Sequence, residues 1–396
     1  MNRRTFVQTI GAGAAGLALA RDTAVGAAPA VTAAGASAFV NGPIRIGSNE
    51  NPYGPAPSAL AAVAATATGA NRYPGPAVQG LVAALAEKHG VAANHVLLSG
   101  GSGDILRAVV TAFTGPSKAI IAGTPSYESP VRTAASLGAP VQAVPLTSEQ
   151  RLDLDAMVAV AGGAGLFYIC NPNNPTGTAV PEAAVTSAIE RVLAASPDTY
   201  VLVDEAYFEY AELPGFATAI PLVEKYPQVV IARTFSKIHG MAGMRVGYAI
   251  AQPATLAKLR VHHSSSGMSV MSLSAATASI RDAAHLNEQI ALNREARAMT
   301  VEAFKTAGYE VAPSDANFIF VNIGRESRGF QEGCRTENVM VGRAFPPLTT
   351  WARISIGTKA EMEQAIPVFM RVLSEPAAKA ARFDPAVLDA LPNELT

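Results

Sequence analysis

The chain carries almost no excess of charge of either sign. Lys and Arg number 30 against 31 Asp and Glu, a net charge of −1. That excludes a nucleic-acid binder, which shows a clustered basic surplus. Cysteine is scarce. Cys170 and Cys334 can build neither a disulfide framework nor a four-ligand zinc site. No run of about 20 continuous apolar residues occurs, so no mature transmembrane helix is expected. What is present is core material. Apolar residues make up 49% of 396 positions, which excludes disorder as the dominant state. At roughly 150 residues per domain the length suits two or three domains, or one large α/β unit with an appendage.

The first 30 residues read as an address. Arg3 and Arg4 precede Phe6, a short Gly/Ala/Leu run spans Ile10 to Ala20, and Ala28-Pro29-Ala30 offers a small-residue cleavage site. These are the parts of a secretory signal, and the paired arginines point to the twin-arginine route and a periplasmic destination. Within it, Gly11-Ala12-Gly13-Ala14-Ala15-Gly16 imitates a dinucleotide-binding fingerprint. That fingerprint needs a preceding strand and an acid about 20 residues on, and Asp22 comes too soon. Without residues 1–30 the chain keeps 27 basic and 30 acidic residues and stands near −3.

After a lead-in at 31–42, short apolar runs alternate with Ala-rich helical stretches. The expected strands are 95–99, 119–122, 141–146, 166–170, 200–204, 228–233 and 246–250, with helices at 77–89, 103–113 and 181–195 between them. Runs such as Val229-Val230-Ile231 are apolar on both faces, as parallel strands covered by helices should be. The pattern predicts an α/β fold with a mostly parallel, doubly wound seven-stranded sheet. Past about residue 275 it changes. A long helix at 283–307, strands at 317–323, 338–341 and 351–356 and a helix at 359–374 predict a smaller α+β domain. The expected organisation is a large domain at 71–275, a small one at 276–376 joined by the segment 43–70, and a tail at 377–396. Cys170 reads as a small buried hydrophobe and Cys334 as a loop thiol.

Four segments carry chemistry, each at the carboxyl end of an expected strand, where open α/β sheets bind ligands. They are Asn171 to Gly177 (NPNNPTG), Asp204-Glu205-Ala206-Tyr207, Thr234-Phe235-Ser236-Lys237 with Arg245 beyond it, and Ser99-Gly100-Gly101-Ser102-Gly103. Singly they could be a turn, a helix cap, a surface lysine and a glycine bend. Jointly they suit pyridoxal phosphate. That cofactor needs an amine for a Schiff base (Lys237) and a carboxylate against its ring nitrogen (Asp204). It also needs partners for its ring oxygen (Asn174, Tyr207). Its phosphate needs donors and a cation: Ser102, Gly103, Thr234, Ser236 and Arg245. Tyr127 is placed to cover the ring. The adjacent pair His262-His263 lacks companion ligands, and on a strand neighbours point to opposite faces, so no metal is expected.

From Ile44 to Leu373 the sequence resembles the fold-type-I pyridoxal-phosphate aminotransferases, in their histidinol-phosphate aminotransferase-like branch. The resemblance is carried by Ser48 to Pro55 (SNENPYGP), Asn71-Arg72-Tyr73-Pro74, the NNPTG and lysine segments, Ala316-Asn317-Phe318 and Arg353 to Gly357. It implies a homodimer with shared active sites. In it Tyr73 reaches the partner's cofactor phosphate, Tyr53 sits over the substrate entrance, and Arg353 grips the substrate's anionic group. Arg343 is a weaker match for a second anion-binding arginine. Three departures stand out: Arg260 to Val270 replaces a substrate-lining stretch, Gly342 to Pro347 lacks the usual Arg-Pro, and Gly103-Asp104 shifts the phosphate-loop acid by one.

The expected activity is ping-pong transfer of an amino group between a small anionic amino donor and a 2-oxo acid. The same residues would serve a lyase, a cyclase or an oxidase on this scaffold. A non-catalytic exported binding protein would not need Lys237, Asp204, Asn174, Tyr207 and Arg245 together.

Overall fold

The structure is a computed structural model and describes residues 42–263 and 267–375. The export signal expected from sequence, the lead-in up to residue 41, Ser264 to Ser266 and the tail from 376 lie outside the described residues. The strands are β1 (Ile44–Ile46), β2 (Val96–Ser99), β3 (Ile120–Thr124), β4 (Val141–Pro145), β5 (Leu166–Cys170), β6 (Tyr200–Asp204), β7 (Val229–Thr234), β8 (Gly247–Ile250), β9 (Glu310–Val311), β10 (Phe318–Asn322), β11 (Val339–Val341) and β12 (Trp351–Ser355).

Seven of them form one sheet in the order β2-β8-β7-β6-β5-β3-β4. All run parallel except β8, which is antiparallel to both neighbours. Each expected strand lies within two residues of its observed ends. The reason, for all but the edge strand β4, is burial on both faces. Along β5, Phe167 and Ile169 enter one core while Tyr168 and Cys170 enter the other, and β6 and β7 alternate likewise. Parallel strands put their carboxyl ends on one edge, so the NPNNPTG, Asp204 and Lys237 segments emerge side by side. The register sets Cys170 beside Asp204 and Asp204 beside Ala232.

A second sheet, β12-β10-β9, packs around a third core with Phe304, Phe330 and Phe369. Cys334 belongs to this core. It is fully buried on the helix Ser327–Thr336, one turn after Phe330 on the same apolar stripe, and is not a loop thiol. The helix Ala283–Thr306 matches expectation, but Val270–Arg281 is a separate helix before it, and residue 275 lies inside that one. The break comes at Asp282, whose carboxylate caps the next helix through His285 N at 3.1 Å. The segment 43–70 divides. β1 pairs with β11, whereas the helix Pro57–Thr66 lies on the helix Val270–Arg281 and places Ala59 in the core under the large sheet. No described helix is long and apolar enough to cross a membrane.

Candidate active site

A cavity of about 450 Å³ opens at the carboxyl edge of the large sheet. Its wall includes Ser102, Gly103, Tyr127, Asn174, Asp204, Tyr207, Thr234, Ser236, Lys237, Arg245 and Arg353, eleven of the residues expected from sequence.

Asp204 ends β6 and is 3% exposed. Its Oδ2 accepts from the Tyr168 hydroxyl at 3.2 Å and its Oδ1 from Ala206 N at 3.2 Å. Burial pushes its pKa up to about 6, against the pull of those donors and of Lys237. Lys237 follows β7 with Nζ 3.4 Å from Ser48 O and 5.6 Å from the Tyr207 ring centroid. Burial, then Arg353, lowers its pKa to about 8, so the free amine forms more readily near neutral pH than on an ordinary lysine.

One corner of the cavity is built for an anion. The helix Ser102–Phe113 starts there with its free backbone N–H groups. Arg245 bonds Ser236 Oγ at 3.4 Å and Ala242 O at 3.0 Å. Its guanidinium packs so closely on Gly101 (φ +100°) that any Cβ there would collide with it. Arg353, on β12, serves a different part of the wall. It is 7% exposed and donates from Nη1 to Asn174 Oδ1 and from Nη2 to Gly47 O, both at 2.7 Å. Its Nε is buried without a partner, and burial lowers its pKa to about 10.

Residues 41–369 match the family described as "Aminotransferase class I and II". The chain belongs to this family. It is similar to the histidinol-phosphate aminotransferase of Symbiobacterium thermophilum, 36% identical over 84% of this chain and 91% of that protein. It is also similar to the aromatic amino acid aminotransferase of Rhodococcus opacus, 38% identical over 81% of this chain and 87% of that protein. Among solved structures, histidinol-phosphate aminotransferase from Sinorhizobium meliloti in complex with pyridoxal 5'-phosphate superposes with a TM-score of 0.78. It is 28% identical, with 83% of this chain and 90% of that one covered.

The residues of this aminotransferase fit that cofactor. Amine, buried carboxylate, hydroxyl and amide donors, and a helix N-terminus with its arginine all face one space. Three expected residues are not on its wall. Tyr53 is half-buried in the turn before the helix Pro57–Thr66, beside Lys359, where burial raises its pKa. Tyr73 is 98% exposed in the single chain. Arg343 pairs with Glu128 at 2.8 Å and lies over the Phe345 ring at 4.4 Å. The cause is local: Gly342 N bonds Arg353 O at 3.1 Å, and a Cβ on Gly342 would come within 2.7 Å of that oxygen. The chain just past β11 thus lies against β12 at Gly342, and the Arg343 side chain that follows is exposed. The unusual stretch Arg260 to Val270 contributes no described residue to the wall; His262 is exposed and His263 half-buried. No described cluster of His, Cys, Asp or Glu could hold a metal.

Sequence reading missed Tyr168, Cys170 as a wall residue, and Ser48, Asn49 and Glu50. Tyr168 sits in an apolar strand and reads as core. Asn49 reaches the site through Ser355, 306 positions away, which no local pattern encodes.

Proposed function

We propose that this aminotransferase takes its amino group from an α-amino monocarboxylic acid rather than from a phosphomonoester. The observation carrying this reading is that Arg353 is the one buried guanidinium on its part of the described wall, while Arg343 is neutralised outside by Glu128. A single guanidinium matches one carboxylate, two parallel hydrogen bonds to two oxygens. A phosphomonoester dianion calls for a second cation. The rings of Phe345 (4.8 Å) and Phe318 (5.7 Å) flank Arg353 and favour a donor with an apolar or aromatic side chain.

Pyridoxal phosphate, when bound, supplies the electron sink that lets the donor's α-carbon lose its proton. The chain's own residues do the rest. Arg353 exchanges a backbone partner for the donor carboxylate. Asp204 keeps a positive charge on the ring nitrogen. Lys237 Nζ would hold the cofactor and, as a free amine, would move the donor's α-proton as base and acid. The helix N-terminus with Ser102, Gly103, Ser236 and Arg245 anchors the phosphate, and Tyr127 covers the ring.

The test is a donor screen on the loaded protein, following loss of its visible band and formation of 2-oxo product. Phenylalanine, tyrosine and leucine should convert it stoichiometrically, and histidinol phosphate should be at least tenfold slower. A preference for histidinol phosphate overturns the reading. With a second oxo acid added, multiple turnovers that do not consume it stoichiometrically assign the lyase or oxidase chemistry instead.

The exposure of Tyr73 supports a homodimer in which that ring lies against a second copy. Arg3-Arg4 supports folded export to the periplasm, and replacing both by Lys should leave the protein in the cytoplasmic fraction.

A further inference from the structure

The hydroxyl of Tyr207 lies between two side-chain amides. Asn49 Nδ2 donates to it at 3.0 Å and Asn174 Nδ2 at 3.5 Å. Neither amide can be turned around. Asn174 Oδ1 accepts from Arg353, a group that only donates. Asn49 Oδ1 accepts from Ser355 Oγ at 2.8 Å. That same Oγ also receives the Asn49 backbone N–H at 2.8 Å, and Oδ1 is the acceptor for its single hydrogen, which a turned amide would leave buried and unpaired. Hydrogen-bond logic thereby fixes both amides with N–H toward Tyr207. The phenol receives from both sides and has one hydrogen left to give, beside the cavity it lines.

We propose that Asn49, locked by Ser355, fixes Tyr207 as an obligatory hydrogen-bond donor to the ring oxygen of the cofactor. The two amides are not equivalent. Asn174 is held by Arg353, whose second partner, Gly47 O, gives way when it takes the donor's carboxylate. Asn49 is held by Ser355, whose side-chain hydrogen bonds both go to Asn49, and the Asn49 backbone carbonyl accepts from Asn317 Nδ2 at 3.0 Å. Asn49 therefore keeps the phenol pointed while the substrate-facing side rearranges. Asn49, Ser355 and Tyr207 are 1%, 2% and 3% exposed, so water does not compete for these bonds. Asn49 and Ser355 are positioning residues, acting through Tyr207. The proposal rests on pyridoxal phosphate lying over Asp204 with its ring oxygen toward Tyr207.

The test is a pH titration of the visible band of the loaded protein, with pyridoxal-phosphate affinity of the stripped protein as a second readout. A donor to the ring oxygen stabilises the deprotonated chromophore, whose oxygen carries the fuller negative charge. Losing it raises the midpoint. Tyr207→Phe should raise it by about one pH unit. Asn49→Asp offers the phenol an acceptor and turns its hydrogen away. It should raise the midpoint as far and weaken cofactor binding about five- to tenfold. Ser355→Ala should shift it less, in the same direction. Added to Tyr207→Phe, Asn49→Asp should change nothing more. If Asn49→Asp leaves the midpoint in place while Tyr207→Phe moves it, the proposal is overturned. A shift that persists in full in the Tyr207→Phe background overturns it too, since the new charge then acts directly. If Tyr207→Phe itself moves nothing, the cofactor placement fails and the proposal with it. Should Asn49→Asp not fold, Ser355→Ala decides, and an unmoved midpoint there is negative.

Discussion

Asp204 is a carboxyl that folding makes harder to ionise. Its pKa rises to about 6 in the folded protein, while the unfolded chain releases that proton near its ordinary value. Between those two values the folded state holds the proton the unfolded state has lost. In the cofactor-free protein stability should therefore fall as pH rises from about 4 to about 6. Lys237 works the other way: its folded pKa near 8 is below the ordinary lysine value, so above pH 8 it adds stability as pH rises. Asp204→Asn should stabilise the cofactor-free protein at pH 7 by on the order of 2 kcal/mol, yet lower turnover at least a hundredfold. Urea denaturation of both proteins at pH 4.5 and 7 checks this. A variant no more stable than wild type at pH 7 rejects it. The sequence marked Asp204 through its position at a strand end. It did not mark Tyr168, whose hydroxyl tempers that carboxyl, because a tyrosine between apolar neighbours reads as core filling.

The elements of the large sheet were legible because most of its strands are buried on both faces, the edge strand β4 with only Val144 buried being the exception. Where that physics weakens, so does the reading. β1 and β9 have three and two residues and carry no period. The helix Val270–Arg281 buries Leu273, Ala275, Ala276, Ser279 and Ile280. These mostly small residues make no pronounced apolar stripe, although they let the helix Pro57–Thr66 pack closely. The glycine turn after β2 read as an anion site from composition. The close contact of Gly101 with Arg245 adds a steric requirement that composition could not give. Gly101→Ala forces a side chain into positive φ and against the guanidinium. It should cost about 1–3 kcal/mol of stability and weaken pyridoxal-phosphate binding at least tenfold. Thermal melting and cofactor titration check both, and an unchanged affinity would show that Arg245 can move aside freely.

On the scale of the whole molecule, the site is shared between sheets. Asp204 and Lys237 come from the seven-stranded sheet and Arg353 from β12 of the three-stranded one. That sharing was legible in the order of motifs but not in their geometry. If a second copy supplies Tyr73, neither Tyr73→Ala nor Lys237→Ala dimers should be fully active. Mixing the two after dissociation should restore activity to about a quarter of wild type, since half the pairs are then mixed and each keeps one intact site. No gain on mixing would confine each site to one chain.

The short run Gly47 to Asn49 meets all three parts of the site. Gly47 offers its carbonyl to Arg353, Ser48 its carbonyl to Lys237, and Asn49 its amide to Tyr207. Two of these three links are made by peptide oxygens, which every amino acid carries. Side-chain replacements at position 48 would leave that oxygen in place and report the residue as less important than it is, and at Gly47 a Cβ would meet Val341 O at 3.0 Å and mask what the Gly47 oxygen does. Only chemistry on the backbone itself, an ester in place of a peptide bond that weakens one oxygen as an acceptor, would reveal how much of the site hangs on that thread.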